Sequence, residues 1–470
     1  MEADVLVRGI GFLGVFVVPV AVYYLHRLPV RLLPIYGILV IVFLAGALEL
    51  LGLFSVTFYM NIVELSIILL FAYMVVRKKG KLNCPGLIII ALFVVASIVS
   101  GLVNDIHILQ VLLFVRRYII PVLFLWYLFN TDFSEKEVQI VTALILALFL
   151  SQIPVSFGKF IMVGQTERYM GTMTIFGGSL TAAFSLFGVI LFFGFFLIER
   201  KFRYLLAVAG FFLFAMIGEK RAVFVFAPVV ILSMVYFSQQ NISVLVRVKQ
   251  ISLGLVIAPA LLYLAVIMNP TLNPEDRIGG SFDFDYLMDY TENYLFPDRV
   301  IRGSAYYGRG EAPIATWNLL TQEENRVQLF VGFGAGDLIM SRFIDVPHDN
   351  ITRGEDLITY RYDIGYGGRT GLLWTLLQVG LTGTFLLFLF YFELFRRAVI
   401  NSKRKGMPGH AAVIVTGLIT LWLLDVITYS RVMITMFPVV LPFMWFLYLA
   451  IVHPDVAFRR KLFIRPFKLF

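Results

Sequence analysis

Long apolar runs separated by short polar connections dominate this sequence. A helix that crosses a bilayer needs about 20 mostly apolar residues, and thirteen segments approach that length. We therefore predict an all-α, multi-pass integral membrane protein with about 12–13 transmembrane helices. The predicted spans are residues 9–25, 32–54, 58–76, 85–104, 108–129, 139–162, 179–198, 204–218, 222–237, 250–269, 372–392, 411–429 and 432–452. The span at 108–129 is the least regular, because Arg116 and Arg117 interrupt it.

Composition supports the same class of protein. Hydrophobic residues make up 60% of the 470 residues and charged residues only 15%, whereas soluble domains average about 45–50% and 25%. The single cysteine, Cys84, excludes an internal disulfide and a cysteine-ligated metal site. The net charge of +9 comes from basic residues that lie between apolar runs, so we expect no nucleic-acid partner.

The distribution of lysine and arginine predicts the orientation of the spans, because cytoplasmic connections are enriched in both residues. Basic residues occur in every alternate connection and in the tail after the last span, whereas the connections at 54–58 and 104–107 contain none. We therefore place the C-terminal tail in the cytoplasm, and thirteen spans place the N-terminus outside. The first span has no small-residue cleavage site, so we expect it to be retained.

One connection differs from the others. Residues 270–371 form a hydrophilic segment with nine arginines, no lysine and sixteen acidic residues, which give it a net charge of −7. Its many aromatic residues argue against disorder. We predict three regions: ten transmembrane helices in 1–269, a large and mainly helical outer cap in 270–371, and three transmembrane helices with a basic cytoplasmic tail in 372–470.

Charged residues near the outer ends of the spans are candidate site residues, because a charge in hydrocarbon is costly unless it is paired or solvated. For Glu49, Glu64 and Asp425 we expect ion pairs between helices. The remaining charges form a predicted cationic surface beneath the cap, and we favour anion binding for them. They are Arg116, Arg168, Lys220 and Arg221.

The cap supplies arginine without lysine, and a guanidinium binds phosphate or carboxylate through two parallel hydrogen bonds. The alternative is that the cap carboxylates pair with these arginines, which is an equally good explanation for some of them: Arg277, Arg299, Arg302, Arg342 and Arg353. The run FGAGD at 333–337 indicates a tight turn, and DFD at 283–285 is too short to indicate a metal site. The five histidines show no ligand spacing, so we expect no metal.

The order of several motifs resembles the O-antigen polymerase and O-antigen ligase superfamily. The motifs are TERYMGTM in an outer connection, GEKRAVF at a helix end, GRGEAPIATWNLL and LFVGFGAGD in the cap, and GLLWTLLQVGLTG entering a helix. The resemblance covers residues 160–395 in order. It implies a multi-pass, GT-C-like glycosyltransferase that acts on polyprenyl-pyrophosphate-linked glycans at the periplasmic face, by inverting transfer without a metal or other cofactor.

The resemblance also implies roles for individual residues. Arg168 and Arg221 would meet the pyrophosphate, and Arg309 would begin the helix before the glycine-rich turn; Arg326 and Arg369 join them as the favoured cap arginines. Ligases typically carry His-Asn where this chain has Arg369 and Thr370, and glutamate is common where it has Gln378. We therefore expect Arg369 to bind phosphate or a sugar carboxylate. The acceptor base is left open among His348, Asp363 and Glu311.

The favoured function is a polymerase of lipid-linked oligosaccharide repeat units, which would build an O-antigen, capsule or exopolysaccharide in the inner membrane. Its partners would be the lipid-linked oligosaccharide and the bilayer, with a chain-length regulator and a flippase as further candidates. An O-antigen ligase is the alternative within the enzyme class. A flippase or solute transporter comes next, although no internal repeat supports it, and a structural scaffold comes last.

Overall fold

The computed structural model describes most of the chain. The described residues are 32–78, 84–164, 171–173, 178–238, 259, 262–263, 265–267, 269–296, 300–301, 304–305, 307–339, 357–402 and 407–452. The predicted span at 9–25 and most of that at 250–269 lie outside these residues, as do His348 and Arg168.

Helices make up the membrane part of the described chain. Eight are long and apolar enough to cross a bilayer, and three shorter apolar helices accompany them. The chain is thus an all-α multi-pass membrane protein, as predicted. The helices before the cap are α1 (Leu33–Leu50), α2 (Val56–Lys78), α3 (Leu87–Val103), α4 (Ile108–Phe129), α5 (Glu135–Val163), α6 (Ser179–Glu199), α7 (Phe202–Ile217) and α8 (Arg221–Ser238).

After the cap come α13 (Gly371–Ser402), α14 (Met407–Leu424), a π-helical turn (Asp425–Tyr429), α15 (Val432–Thr435) and α16 (Phe437–Val452). Together with α1 to α8, these helices account for eleven of the thirteen predicted spans. The predicted span that Arg116 and Arg117 interrupt is an unbroken helix, α4, of 22 residues. Two arginines therefore do not end the helix, because the remaining apolar residues still cover the length of a bilayer.

Short helices form the described part of the predicted cap. They are α9 (Phe284–Leu295), α10 (Ala312–Thr321), α11 (Arg326–Val331) and α12 (Leu357–Tyr362), with 3-10 turns at Pro270–Leu272, Glu323–Asn325 and Tyr366–Arg369. Two short antiparallel strands, β1 (Val300–Ile301) and β2 (Ser304–Ala305), pair with each other. The expectation of a mainly helical cap is confirmed for these residues.

The cap and the first turns of α13 share one hydrophobic core. Ala312 of α10 and Ile358 of α12 are buried together with Trp374 and Leu377 of α13. The N-terminal part of this apolar helix therefore packs against the cap as well as against the membrane helices.

Helix α13 is broken at Gly380, where φ is +62° and ψ is −167°. A Cβ atom at Gly380 would lie 2.4 Å from the backbone of Phe330, and one at Gly332 would lie 2.4 Å from the backbone of Gln378. The amide of Phe333 also donates to the carbonyl of Leu377 at 2.7 Å. Two glycines thus let the end of α11 contact α13 backbone to backbone, because neither carries a side chain.

A short buried segment joins the C-terminal halves of two other helices. Residues 171–173 lie between α1 and α5 and are all buried. Thr172 and Met173 are each 1% exposed. The amide of Thr172 donates to Oε1 of Gln152 at 2.7 Å, and the amide of Gly171 donates to Oγ of Ser156 at 3.0 Å. Nζ of Lys159 donates to the carbonyl of Gly171. The backbone of this segment is hydrogen-bonded to α5, as burial in a membrane bundle requires.

Candidate functional site

Arg221 is the first residue of α8 and follows a tight turn. The turn closes when the amide of Lys220 donates to the carbonyl of Ala215 at 2.9 Å, with Glu219 in the left-handed region at φ +55°. The guanidinium of Arg221 lies over the ring of Tyr290 in the cap, 4.9 Å from its centroid. Within the described part of the chain, no carboxylate lies within ion-pairing distance of Arg221.

Arg309 lies in the turn before α10. Its guanidinium is 5.4 Å from the ring centroid of Tyr294 and 4.4 Å from that of Tyr429, which belongs to the π-helical turn. The prediction that Arg309 begins a helix is wrong by three residues, because α10 begins at Ala312, where Pro313 favours a first turn.

The two arginines are connected through α9. Tyr290 and Tyr294 are one helical turn apart, and their rings stack with centroids 6.4 Å apart and planes inclined by 13°. One ring lies under Arg221 and the next under Arg309. We call Arg221, Tyr290, Tyr294, Arg309 and Tyr429 the tyrosine–arginine cluster. It joins the N-terminal end of α8, the cap and the π-helical turn.

Asp425 begins that π-helical turn and is 1% exposed. Its carboxylate accepts a hydrogen bond from the hydroxyl of Ser430 and another from the amide of Met433 at 2.9 Å. The charge of Arg309 also interacts with this carboxylate. Local hydrogen bonds of Asp425 therefore fix the chain between α14 and α15, and within the described residues no ion pair of Asp425 supports the one expected between helices.

Arg369 ends the 3-10 turn that precedes α13, and this turn packs against the segment that carries Arg309. The amide of Gly367 donates to the carbonyl of Tyr307 at 3.1 Å, and a Cβ atom at Gly367 would lie 2.2 Å from the carbonyl oxygen of Gly308. Gly367 thus lets two protein segments approach closely, and so places Arg369 and Arg309 on adjoining segments.

A second cationic contact lies deeper in the bundle. The guanidinium of Arg431 is 3.5 Å from the ring centroid of Trp374, and the hydroxyls of Tyr118 and Thr375 are 3.1 Å apart. Tyr118 is ten residues beyond the first residue of α4, so it lies about 15 Å along that helix from its N-terminal end.

The other predicted cations have different surroundings. Nε of Arg116 lies 3.1 Å from Oε2 of Glu64 in an ion pair between α4 and α2, which confirms the prediction for Glu64. Glu49 instead accepts a hydrogen bond from the amide of Val56 at 3.1 Å, at the start of α2.

Lys220 is buried, with 4% of its surface exposed. The exposed Arg326 pairs with Glu323 at 3.1 Å. The predicted cations of the membrane part therefore do not all lie at one site, since Arg116 pairs with Glu64 and Arg221 contacts Tyr290.

Two of the three candidate bases lie in the described residues. Glu311 is the N-terminal cap residue of α10, two residues after Arg309, and Asp363 is exposed, with φ +53°, after α12. His348 falls outside the described residues, and so does the pyrophosphate candidate Arg168. Among the residues that the structure describes, no group of three His, Cys, Asp or Glu side chains is placed to hold a metal ion.

Two short motifs have structural roles. Asp283 of DFD caps α9, since its Oδ1 accepts a hydrogen bond from the amide of Tyr286 at 3.0 Å.

The FGAGD run forms the predicted turn, and the amide of Gly336 donates to Oε1 of Gln378 at 3.1 Å. The last residue of the run, Asp337, pairs with Arg361 and accepts a hydrogen bond from Tyr362. Burial raises the pKa of Tyr362, which keeps its hydroxyl protonated as a donor.

Sequence reasoning missed several residues around these groups. Tyr290 and Tyr294 contributed only as aromatic residues that argue against disorder, and their four-residue spacing next to an N-terminal cap was the signal that places them on one helix face. No sequence pattern indicated Tyr429, because its contact with Arg309 joins residues that are 120 positions apart. Lys159 was missed although it lies inside a predicted span, where a lysine is always conspicuous.

No protein-family model and no curated protein matches this chain.

Proposed function

We propose that this chain is a GT-C-like polymerase of lipid-linked oligosaccharide repeat units at the periplasmic face of the inner membrane. The observation that supports it best is the tyrosine–arginine cluster, in which Arg221 of the membrane bundle and Arg309 of the cap lie over neighbouring tyrosine rings. Two guanidiniums from distant parts of the chain meet where an amphipathic substrate would have its head group. The order of the motifs around Arg221 and Arg309 supports the same assignment.

The chemistry of the proposed reaction explains why arginines would be needed. The acceptor hydroxyl oxygen forms a bond to the anomeric carbon of the donor sugar, and the bond from that carbon to the pyrophosphate breaks. The bonding electrons leave with the polyprenyl pyrophosphate, whose negative charge grows as the bond breaks. Cations that are already in place stabilise this charge without reorganisation. The acceptor proton passes to a base, for which Asp363, Glu311 and His348 are the candidates.

The tyrosine rings have a specific part in this proposal. A guanidinium over an aromatic ring is held by its face, whereas its N–H donors lie in its plane. Tyr290 therefore positions the guanidinium of Arg221, while the N–H donors at the edge of that guanidinium point away from the ring. A pyrophosphate accepts hydrogen bonds in that plane through two oxygens, which an ammonium group could not match.

The depth of the nearby contact between Tyr118 and Thr375 favours a lipid-linked donor over a soluble sugar nucleotide. Thr375, which contacts Tyr118, is one turn after Gly371, whose amide donates to the carbonyl of Ser430 at 2.9 Å. This places the contact about 15 Å below the outer end of α4. A head group bound near Asp425 would therefore lie at a depth that its own polyprenyl chain can reach from the bilayer.

The test is an assay with the purified full-length protein in vesicles that contain polyprenyl-pyrophosphate-linked oligosaccharide extracted from its native membranes. No nucleotide sugar is added. A ladder of products that differ by whole repeat units supports the proposal. A single product on a second lipid would replace it with the ligase, and an unchanged oligosaccharide that reaches the other side of the vesicle would replace it with a transporter.

A further inference from the structure

An exposed apolar surface lies on the hairpin formed by α10 and α11 of the cap. Ile314 and Trp317 of α10 are 62% and 50% exposed, and Val327 and Phe330 of α11 are both 57% exposed. Each pair has a three-residue spacing, which places its members on one face of a helix. We call these four residues the hairpin face.

The hairpin face is not a consequence of loose folding. The opposite side of α10 carries Ala312 and Thr316, which are both fully buried in the cap. The turn between the helices is also fixed, because Nδ2 of Asn325 donates to the carbonyl of Leu319 at 2.9 Å. Both helices are therefore held in place with one apolar side directed outward.

The hairpin face adjoins a surface that faces lipid. Nδ2 of Asn104, next to the outer end of α3, donates to the carbonyl of Gly332 at the end of α11, at 3.1 Å. The last two residues of α3, Leu102 and Val103, are 64% and 52% exposed. Exposed apolar residues on a membrane helix contact the acyl chains. The hairpin face begins where this lipid-facing surface ends.

The charged residues of the hairpin lie at its turn, apart from the hairpin face. Glu323 and Arg326 lie at the turn between α10 and α11, and their side chains are 92% and 75% exposed. The hairpin thus has a charged tip and apolar sides. A tryptophan among the apolar residues is typical of a segment at the boundary between acyl chains and head groups.

We propose that the hairpin face lies in the outer leaflet interface and that its partner is bilayer lipid. The inference does not depend on the proposed enzymatic function. It has one consequence for that function: α10 begins three residues after Arg309, so a hairpin fixed in the interface would hold Arg309 at the level of lipid head groups.

The tryptophans of the chain provide a direct test. Of its five tryptophans, Trp317 is half exposed and the rest are no more than 2% exposed. The full chain is placed in vesicles of phosphatidylcholine that carries bromine either near the head-group end or near the methyl end of its acyl chains. Tryptophan fluorescence is compared between the wild-type protein and Trp317→Phe. The difference between the two fluorescence signals is the contribution of Trp317.

We expect the Trp317 signal to fall at least twofold with bromine near the head groups, to fall less with bromine near the chain ends, and to resist aqueous acrylamide. Phe330→Trp in the Trp317→Phe background should restore the quenching by lipid. The proposal is overturned if acrylamide quenches Trp317 and brominated lipid does not, since the hairpin face would then contact water, a glycan or another protein.

Discussion

A buried polar region and a half-buried one differ in the contacts that hold their side chains. Around residues 171–173, Gln152, Ser156 and Lys159 of α5 are hydrogen-bonded to backbone groups of the same chain. In the tyrosine–arginine cluster, Arg221 and Arg309 lie over aromatic rings. The first region uses its hydrogen-bonding capacity to hold a segment in the bundle. The second holds its cations by their faces.

The difference separates a structural role from a binding role. A buried polar group costs free energy unless it is hydrogen-bonded, and the segment at 171–173 avoids that cost internally. In the cluster, aromatic rings position two guanidiniums from distant parts of the chain, which suits the binding of an anionic group. Substitutions in the first region should therefore reduce stability, and substitutions in the second should reduce turnover.

The largest effect is expected at the contact that docks the cap. Gly332→Ala would place a Cβ atom 2.4 Å from the backbone of Gln378, at a position with φ +79°. Backbone strain and overpacking together should lower the free energy of unfolding by about 3 kcal/mol, and turnover should fall because Arg309 is displaced. Thermal unfolding of the detergent-solubilised protein measures the first effect.

Gly279→Ala is the matched control, because Gly279 has φ +83° and nothing within 4 Å of a Cβ atom. Its cost should be limited to the backbone term of about 1 to 2 kcal/mol. Equal losses in the two variants would show that the contact between Gly332 and α13 contributes little.

The arginines of the cluster come next. Arg309→Lys keeps the positive charge but loses the planar pair of donors, so turnover should fall about ten- to a hundredfold, as expected for the loss of a charge-assisted hydrogen bond. The melting temperature should stay close to that of the wild type. Product formation from the lipid-linked oligosaccharide gives the rate.

Arg326→Lys is the control for this substitution. Arg326 belongs to the same cap, and its exposed pair with Glu323 contributes at most about 1 kcal/mol. Turnover of Arg326→Lys should be unchanged. An Arg309→Lys variant that is as active as Arg326→Lys would assign Arg309 a structural role.

The helices could be predicted from sequence far better than the site. A spanning helix is encoded locally, because about 20 apolar residues in succession are sufficient, and the bounds of α4 agree with the prediction to the residue. The break at Gly380 was not predictable, since it depends on Phe330 and Gly332, about 50 residues earlier. Likewise, Arg221 and Arg309 were each recognisable as candidates. Their connection through Tyr290 and Tyr294 depends on tertiary packing.

A smaller effect on stability is expected in the segment at 171–173. Gln152→Leu removes the acceptor of the Thr172 amide at a site that is fully buried, which should cost about 1 to 3 kcal/mol of unfolding free energy. Turnover per folded molecule should change little. Gln139→Leu, at a half-buried position of the same helix, should be nearly neutral in the same unfolding assay.

The most direct test of the central claim is a double-mutant cycle on turnover with Arg221→Lys, Arg309→Lys and the variant that carries both. If both arginines bind one pyrophosphate, the first substitution already weakens the shared interaction. The loss in the double variant should then be at least about threefold smaller than the product of the two single losses, a coupling within the range of about 0.5 to 3 kcal/mol measured for residues that share a partner. Losses that multiply without coupling would contradict a shared site and place the two arginines in separate roles.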